Sequence, residues 1–261
     1  AQMVGVELDA TTAAIAAALT PSAQIRAEGF ERTSVPASSF TAVIGNVPFG
    51  DYRLYDPVHN QAKHSIHNHF IVKSLALTAP GGYAVLLTSR YTLDAQNQRA
   101  RREIAALGDL VGAVRLPSTA FRRVAGTEVV TDVLVLRRRE EGREPSTLTT
   151  QFLQLANATA RDDTGEDKGV PINAVFTEHP DWVLGDLRIG HGMYGQDTLS
   201  VDARDGDDLP ALVAERLTGI VDTARARGLG HTASWRDTLG PTREDFDRGL
   251  LAAGRLPAED D

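Results

Sequence analysis

Short apolar runs alternate with stretches of helical spacing along the first half of the chain. Val4 to Leu8 (VGVEL) reads as a buried strand ending in acidic residues, and Asp9 stands where it can cap the alanine-rich run TTAAIAAAL, which stops before Pro21. Gln24 to Ala27 is a second short strand, and Phe40 to Gly45 (FTAVIG) is a third, apolar and β-branched, leading directly into NVPFG. A polar loop with Tyr52, Tyr55, Asp56 and Pro57 follows. From Ser65 to Leu77 the apolar residues Ile66, Phe70, Ile71, Leu75 and Leu77 recur at helical spacing. Pro80-Gly81-Gly82 is expected to end that helix ahead of the strand YAVLLTS. A charged amphipathic helix is expected over Leu93 to Leu107, then the strand LVGAVRL, a loop through Phe121 and Gly126, and the strand VVTDVLVLRR.

Strands that alternate with helices and are apolar on both faces predict an α/β fold with a mostly parallel, doubly wound sheet. In such sheets ligands bind at the carboxyl ends of the strands, where the acidic residues and NVPFG lie. Beyond Arg139 the texture changes. EEGREPS reads as a linker and RDDTGEDKG as a polar, mobile loop; VFTEHPDWVLGDL reads as a compact aromatic piece with a turn, and DLPALVAERLTGIVDTARARG as an amphipathic helix. The expected organisation is therefore a catalytic core over 1–140 and a partly helical C-terminal extension over 141–261.

Composition narrows the classes. With 261 residues, 42% hydrophobic and 24% charged, the chain is an ordinary globular protein. No run approaches the ~20 apolar residues of a membrane helix, and no signal-peptide pattern opens the sequence, so a cytoplasmic protein is expected. The absence of cysteine excludes disulfides, thiolate zinc sites and cysteine nucleophiles. A formal net charge of −8 runs against a free-standing DNA-binding domain, which usually grips phosphates with a basic face. The chain begins at Ala1 and enters an apolar run almost at once, so a piece of a longer polypeptide is expected.

The sharpest local feature is Asn46-Val47-Pro48-Phe49 directly after an apolar strand. Methylating an exocyclic amine requires freeing a nitrogen lone pair that is delocalised into the ring. Two acceptors aimed at the two N–H bonds do this: an asparagine oxygen supplies one and a backbone carbonyl in the same turn the other. An aromatic ring beside them can stack on a base that has left its duplex, and proline stiffens the turn.

The motif resembles the Asn-Pro-Pro-Tyr/Phe signature of adenine amino-methyltransferases. The blocks GNVPFGDY, HSIHNHF, SLALTAPGGYAVLLTS, GAVRLPSTAF, AGTEVVTDVLVL and EHPDWVLGDL resemble, in order, the adenine-specific DNA methylases found in very large phage, plasmid and mobile-element proteins, often fused to a helicase. The resemblance covers roughly residues 1–200. It implies S-adenosylmethionine (SAM) as cofactor, DNA with a flipped adenine as substrate, a helicase region as fused or associated partner, and a Rossmann-like methyltransferase sheet. It also implies site residues. Glu7 would accept from the SAM ribose hydroxyls, Glu28 would read the SAM adenine amino group and Phe30 would pack near that ring. Asn46 and the Val47 carbonyl would bind the target amine, held by Pro48, and Phe49 would stack on the base. Phe121 would help to enclose the flipped adenine, with Arg122 and Arg123 reaching phosphates. Two departures stand out. Val47 replaces a proline at a position that acts through its main chain. The glycine-rich SAM loop, expected after a strand upstream of Val4, is missing, so the piece alone is expected to be inactive.

His59, His64, His67 and His69 lack a ligand spacing with a fourth partner, so no metal is expected. RARR (Arg99 to Arg102) reads as a solvated helix face, and Asp132 inside an apolar strand needs a partner that the sequence does not name. Two alternatives stay open: methylation of another planar amine, in RNA adenine or a glutamine amide, and a methyltransferase-like module that only binds DNA or a partner.

Overall fold

The computed structural model describes residues 3–122, 129–191 and 197–234. Strand β1 (Met3–Glu7), helix α1 (Ala10–Leu19) and β2 (Ala23–Ala27) form a parallel crossover unit. Asp9 caps α1 as expected, accepting from the Thr12 N–H at 2.8 Å. The helix rests on alanine propensity and its cap, for only Ala13 is buried while Ile15 and Leu19 face solvent. Among the described residues β1 pairs with β2 alone.

The central sheet has the order β3-β4-β6-β5. β3 (Phe40–Asn46) pairs in parallel with β4 (Thr78–Ser89), reached through helix α2 (Ile66–Leu77). α3 (Tyr91–Asp94) and α4 (Arg99–Leu107) lead to β5 (Gly108–Leu116), and β6 (Thr131–Arg138) inserts antiparallel between β4 and β5. The fold is α/β, with a mixed sheet of which β3 and β4 form the parallel side. Both faces of β6 are covered. Leu134 and Leu136 join one apolar cluster and Val135 another, which is why the strand reads as continuously apolar.

Two local expectations need correction. Pro80-Gly81-Gly82 does not end α2: the helix stops at Leu77, and the triplet lies inside β4. Gly81 adopts φ +78°, and a Cβ on Gly82 would stand 2.4 Å from the Thr41 carbonyl oxygen, so the glycines let β4 pass the register shift between Phe40 and Ala42. The helix expected over Leu93 to Leu107 is two helices. Its break frees the backbone around Ala95, whose carbonyl accepts from Arg101 at 2.7 Å. Arg101 is buried, so RARR is a solvated face only in part.

After the central sheet come α5 (Thr147–Phe152), β7 (Leu155–Asp162), β8 (Asp167–Asn173), α6 (Ala174–Glu178), β9 (Asp186–His191), β10 (Asp197–Asp202) and α7 (Leu209–Ala226). The segment RDDTGEDKG is the end of a β7–β8 hairpin. Asp162 accepts from the Thr164 and Glu166 N–H groups there, both at 2.9 Å. A second sheet of order β10-β9-β7-β8 results. Its side chains do not form a separate core: Phe152, Ile172, Val175, Phe176, Leu199 and Val201 pack in one cluster with Ile71, Leu75, Leu86 and Leu134. On the other face of the central sheet α7 brings Ile220 and Ala224 against Val111, Val114 and Val135. The buried core thus runs across position 140 in both directions. Among the described residues no helix is long and apolar enough to cross a membrane.

The partner that Asp132 needs is Arg115 on β5. The two buried side chains meet in a bidentate pair, Nε to Oδ1 at 2.8 Å and Nη2 to Oδ2 at 2.9 Å.

Candidate functional site

The site assembles at the carboxyl ends of the parallel strands. The Val47 N–H donates to the Leu87 carbonyl at 3.0 Å, extending the β3–β4 ladder by one residue and fixing the motif against its neighbour strand. Val47 is buried in the main core, while Asn46 and Phe49 are exposed. Among the described residues neither the Asn46 side chain nor the Val47 carbonyl is engaged in a hydrogen bond. The turn therefore presents two adjacent, unclaimed acceptors, as amine recognition requires.

Phe49 and Gly50 open into a cleft of 780 Å³. Its walls come from the start of α2 (Ser65, His67, Asn68), from the end of β4 (Ser89 to Tyr91) and from β10 (Thr198 to Ser200). Asn46, Val47 and Pro48 precede this lining and are not part of it.

A second group lies on the β1–β2 unit. The Glu28 N–H donates to the Glu7 carbonyl at 2.9 Å, which brings the two acidic residues together at adjacent strand ends. Glu7 Oε1 accepts from the Asp9 N–H at 2.9 Å, and Glu28 pairs with Arg26 at 2.9 Å. Phe30 opens a short 3-10 turn and packs on Phe70 of α2, with ring centroids 4.8 Å apart.

Sequence reasoning missed what ties these groups together. Lys73, buried in the middle of α2, donates to Asp56 Oδ2 at 2.9 Å and to the Glu31 carbonyl at 3.3 Å, and its ammonium lies 5.1 Å from the Phe30 ring centre. One side chain thus links the turn after β2 to the loop after the motif. Asp56 also accepts from the Val58 and His59 N–H groups at 3.0 and 2.9 Å, and pairs with His69 Nε2 at 3.1 Å. Burial opposes its charge, but these donors and the lysine overcome that and hold its carboxyl below the usual range. The available signal was a lysine inside an apolar helical stripe. The remaining histidines have protein partners: His64 meets Glu103 at 2.7 Å and His67 meets the Ser65 hydroxyl at 3.1 Å.

One expected residue stands elsewhere. The Phe121 ring packs on the cluster of Val111, Val114 and Ile220, and it is not among the residues lining the cleft. A core contact there removes more apolar surface from water than an open loop would. Arg122 is exposed in the turn that follows Pro117, and Arg123 lies outside the described residues.

Set beside known proteins, the chain shows partial likenesses. No protein-family model matches it. Defense against restriction protein B of Escherichia phage P1 is 28% identical over 142 residues, which are 52% of this chain and 6% of that protein. The M protein of the type I restriction enzyme EcoKI aligns over 99% of this chain and 64% of its own at 16% identity, with a TM-score of 0.43. The N-methyltransferase NodS of Bradyrhizobium japonicum WM9, solved with S-adenosyl-L-homocysteine, aligns over 53% and 67% at 14% identity, with a TM-score of 0.37. The chain spans a small part of its curated phage relative, and 46% and 49% of two further solved chains that it resembles.

Burial sets a pH dependence. His67 and His69 are buried, and burial pushes both below the ordinary imidazole value. The folded state therefore resists protons that the unfolded state accepts below about pH 6.5. Their contribution is complete above that value and is lost as pH falls, with a limiting slope of about 1.4 kcal/mol per pH unit for each histidine. Asp56, whose folded value is depressed, adds a second loss only below about pH 4. Urea midpoints measured from pH 8 to 5 are expected to start falling near pH 6.5; a flat curve down to pH 5 contradicts the assignment.

Proposed function

We propose that this chain forms part of an enzyme that transfers a methyl group from SAM to the N6 amine of adenine in DNA. The observation that carries the reading is the pair of unclaimed acceptors, Asn46 and the Val47 carbonyl, at the carboxyl end of β3 beside an exposed phenylalanine. Methyltransferases stand among the proteins of similar fold, and a restriction-related phage protein stands among the relatives by sequence. The order of sequence blocks favours DNA over RNA adenine or a glutamine amide.

The acidic residues at the ends of β1 and β2 fit SAM in one respect. Glu7 and Glu28 stand together at the ends of parallel strands, and Glu7 Oε2 takes part in no hydrogen bond among the described residues. A carboxylate so placed suits ribose hydroxyls, as in dinucleotide folds. Bound SAM would supply an electrophilic methyl group. Asn46 Oδ1 and the Val47 carbonyl accept the two amine N–H groups and turn the nitrogen lone pair outward, Phe49 stacks on the base, and Pro48 limits the turn's freedom. The proton shed by the methylated amine leaves to solvent.

The test is transfer of tritium from methyl-labelled SAM, catalysed by the natural full-length polypeptide, to unmethylated double-stranded DNA, RNA and protein. Label recovered as N6-methyladenine from DNA is expected. Label in RNA or protein alone, or none with SAM binding also absent by calorimetry, overturns the reading.

A further inference from the structure

The 780 Å³ cleft contains a second accessible aromatic ring, that of Tyr91. Tyr91 is 55% exposed and Phe49 39%, and both line the cleft from segments that follow adjacent parallel strands. Large rings left open to water within one cavity carry apolar area that a flat ligand would cover.

Tyr91 is backed by a chain of charged contacts. It starts α3 directly after β4, and the Arg90 guanidinium lies over its ring, 4.6 Å from the centre. Arg90 is itself 3.7 Å from Asp94, and Asp94 is gripped by the buried Arg115 at 2.9 Å. One face of the ring is thus backed by a cation tied to the core, while the residue stays 55% exposed at the cleft. A cation-backed aromatic is a sequence-tolerant platform for a nucleobase. Phe121, which the sequence suggested as enclosing the base, packs on the apolar cluster of Val111, Val114 and Ile220 and does not line the cleft.

We propose that Tyr91 is the second stacking surface for the target base, with Phe49 the first. The proposal rests on the reading of the chain as an adenine methyltransferase and deepens it, for it names what holds the flipped base in the cleft. It assigns β10, through Thr198 to Ser200, to the same pocket, so the segment after position 140 contributes to substrate binding.

The experiment compares Tyr91→Ala, Tyr91→Phe and Asn46→Ala in the full-length polypeptide, on unmethylated DNA. Expected for Tyr91→Ala is a kcat/KM lower by about 5- to 150-fold, the range that base stacking gives on truncation to alanine, with the Kd for SAM and the Tm unchanged. Tyr91→Phe keeps the ring and is expected to retain activity within about threefold. If Tyr91→Ala misfolds, Tyr91→Trp replaces it: its fluorescence is expected to be quenched by an adenine-containing single strand and not by an abasic one. Loss of activity in Asn46→Ala with full activity in Tyr91→Ala, or an unquenched Trp, overturns the proposal while leaving the enzyme reading intact. Absence of transfer by the wild type overturns both.

Discussion

Arg115→Met destabilises the protein by about 3–5 kcal/mol, the loss expected when one partner of a buried ion pair is removed. Arg115 is fully buried, and its guanidinium is shared between Asp132, in the bidentate pair, and Asp94 at 2.9 Å. Burial alone would favour loss of its charge, but the two carboxylates outweigh that and hold its pKa above the ordinary arginine value. The ring of Phe176 adds a face 4.2 Å from the guanidinium carbon. Removing the cation strands two carboxylates with almost no access to water. The damage is expected to reach the second sheet, because Asp94 also accepts from the Asn173 N–H at 3.0 Å, at the junction of β8 and α6. Urea denaturation followed by far-UV circular dichroism measures the effect. The double variant Arg115→Met with Asp132→Leu is expected to recover part of the loss, since an apolar replacement of both partners is often near neutral. A shift under about 1 kcal/mol in the single variant contradicts the assignment.

Asn46→Ala lowers methyl transfer by about 10²- to 10³-fold, the effect of deleting one preorganised group at a reacting centre, or about 2.7–4 kcal/mol of barrier. The Val47 carbonyl remains, so one of the two acceptors survives. Because Asn46 is exposed and its side chain bonds to nothing among the described residues, stability should move by no more than about 0.5 kcal/mol. That separation of activity from stability distinguishes a group that acts on substrate from one that holds the fold. Single-turnover label transfer with the Tm measured in parallel checks it. Equal losses in both would make Asn46 a structural residue.

The motif was legible because everything it needs is local. A strand, a turn and an aromatic within four residues determine where the acceptors sit relative to β3, and the Asp9 cap and the α7 stripe are equally short-range. The surroundings of Phe121 were not legible, for the opposite reason. The cluster on which its ring packs includes Ile220 and Ala224, about a hundred residues further on. Lys73 illustrates an intermediate case: a lysine in an apolar stripe is a local signal that went unused, and its partners Asp56 and the Glu31 carbonyl are separated from it by 17 and 42 residues.

The amino-acid pattern by itself determined the alternation of strands and helices, the α/β class, the acidic strand ends and the turn that offers two acceptors. These follow from periodicity, capping and backbone geometry, which act over a few residues. Tertiary structure alone decided that β6 runs antiparallel inside the sheet, that Arg115 answers Asp132, that Lys73 joins the two halves of the site, and that β10 walls the cleft beside Phe49. Each of these depends on groups distant in sequence meeting in a water-poor interior, where an unpaired charge is too costly to remain and apolar faces must find one another.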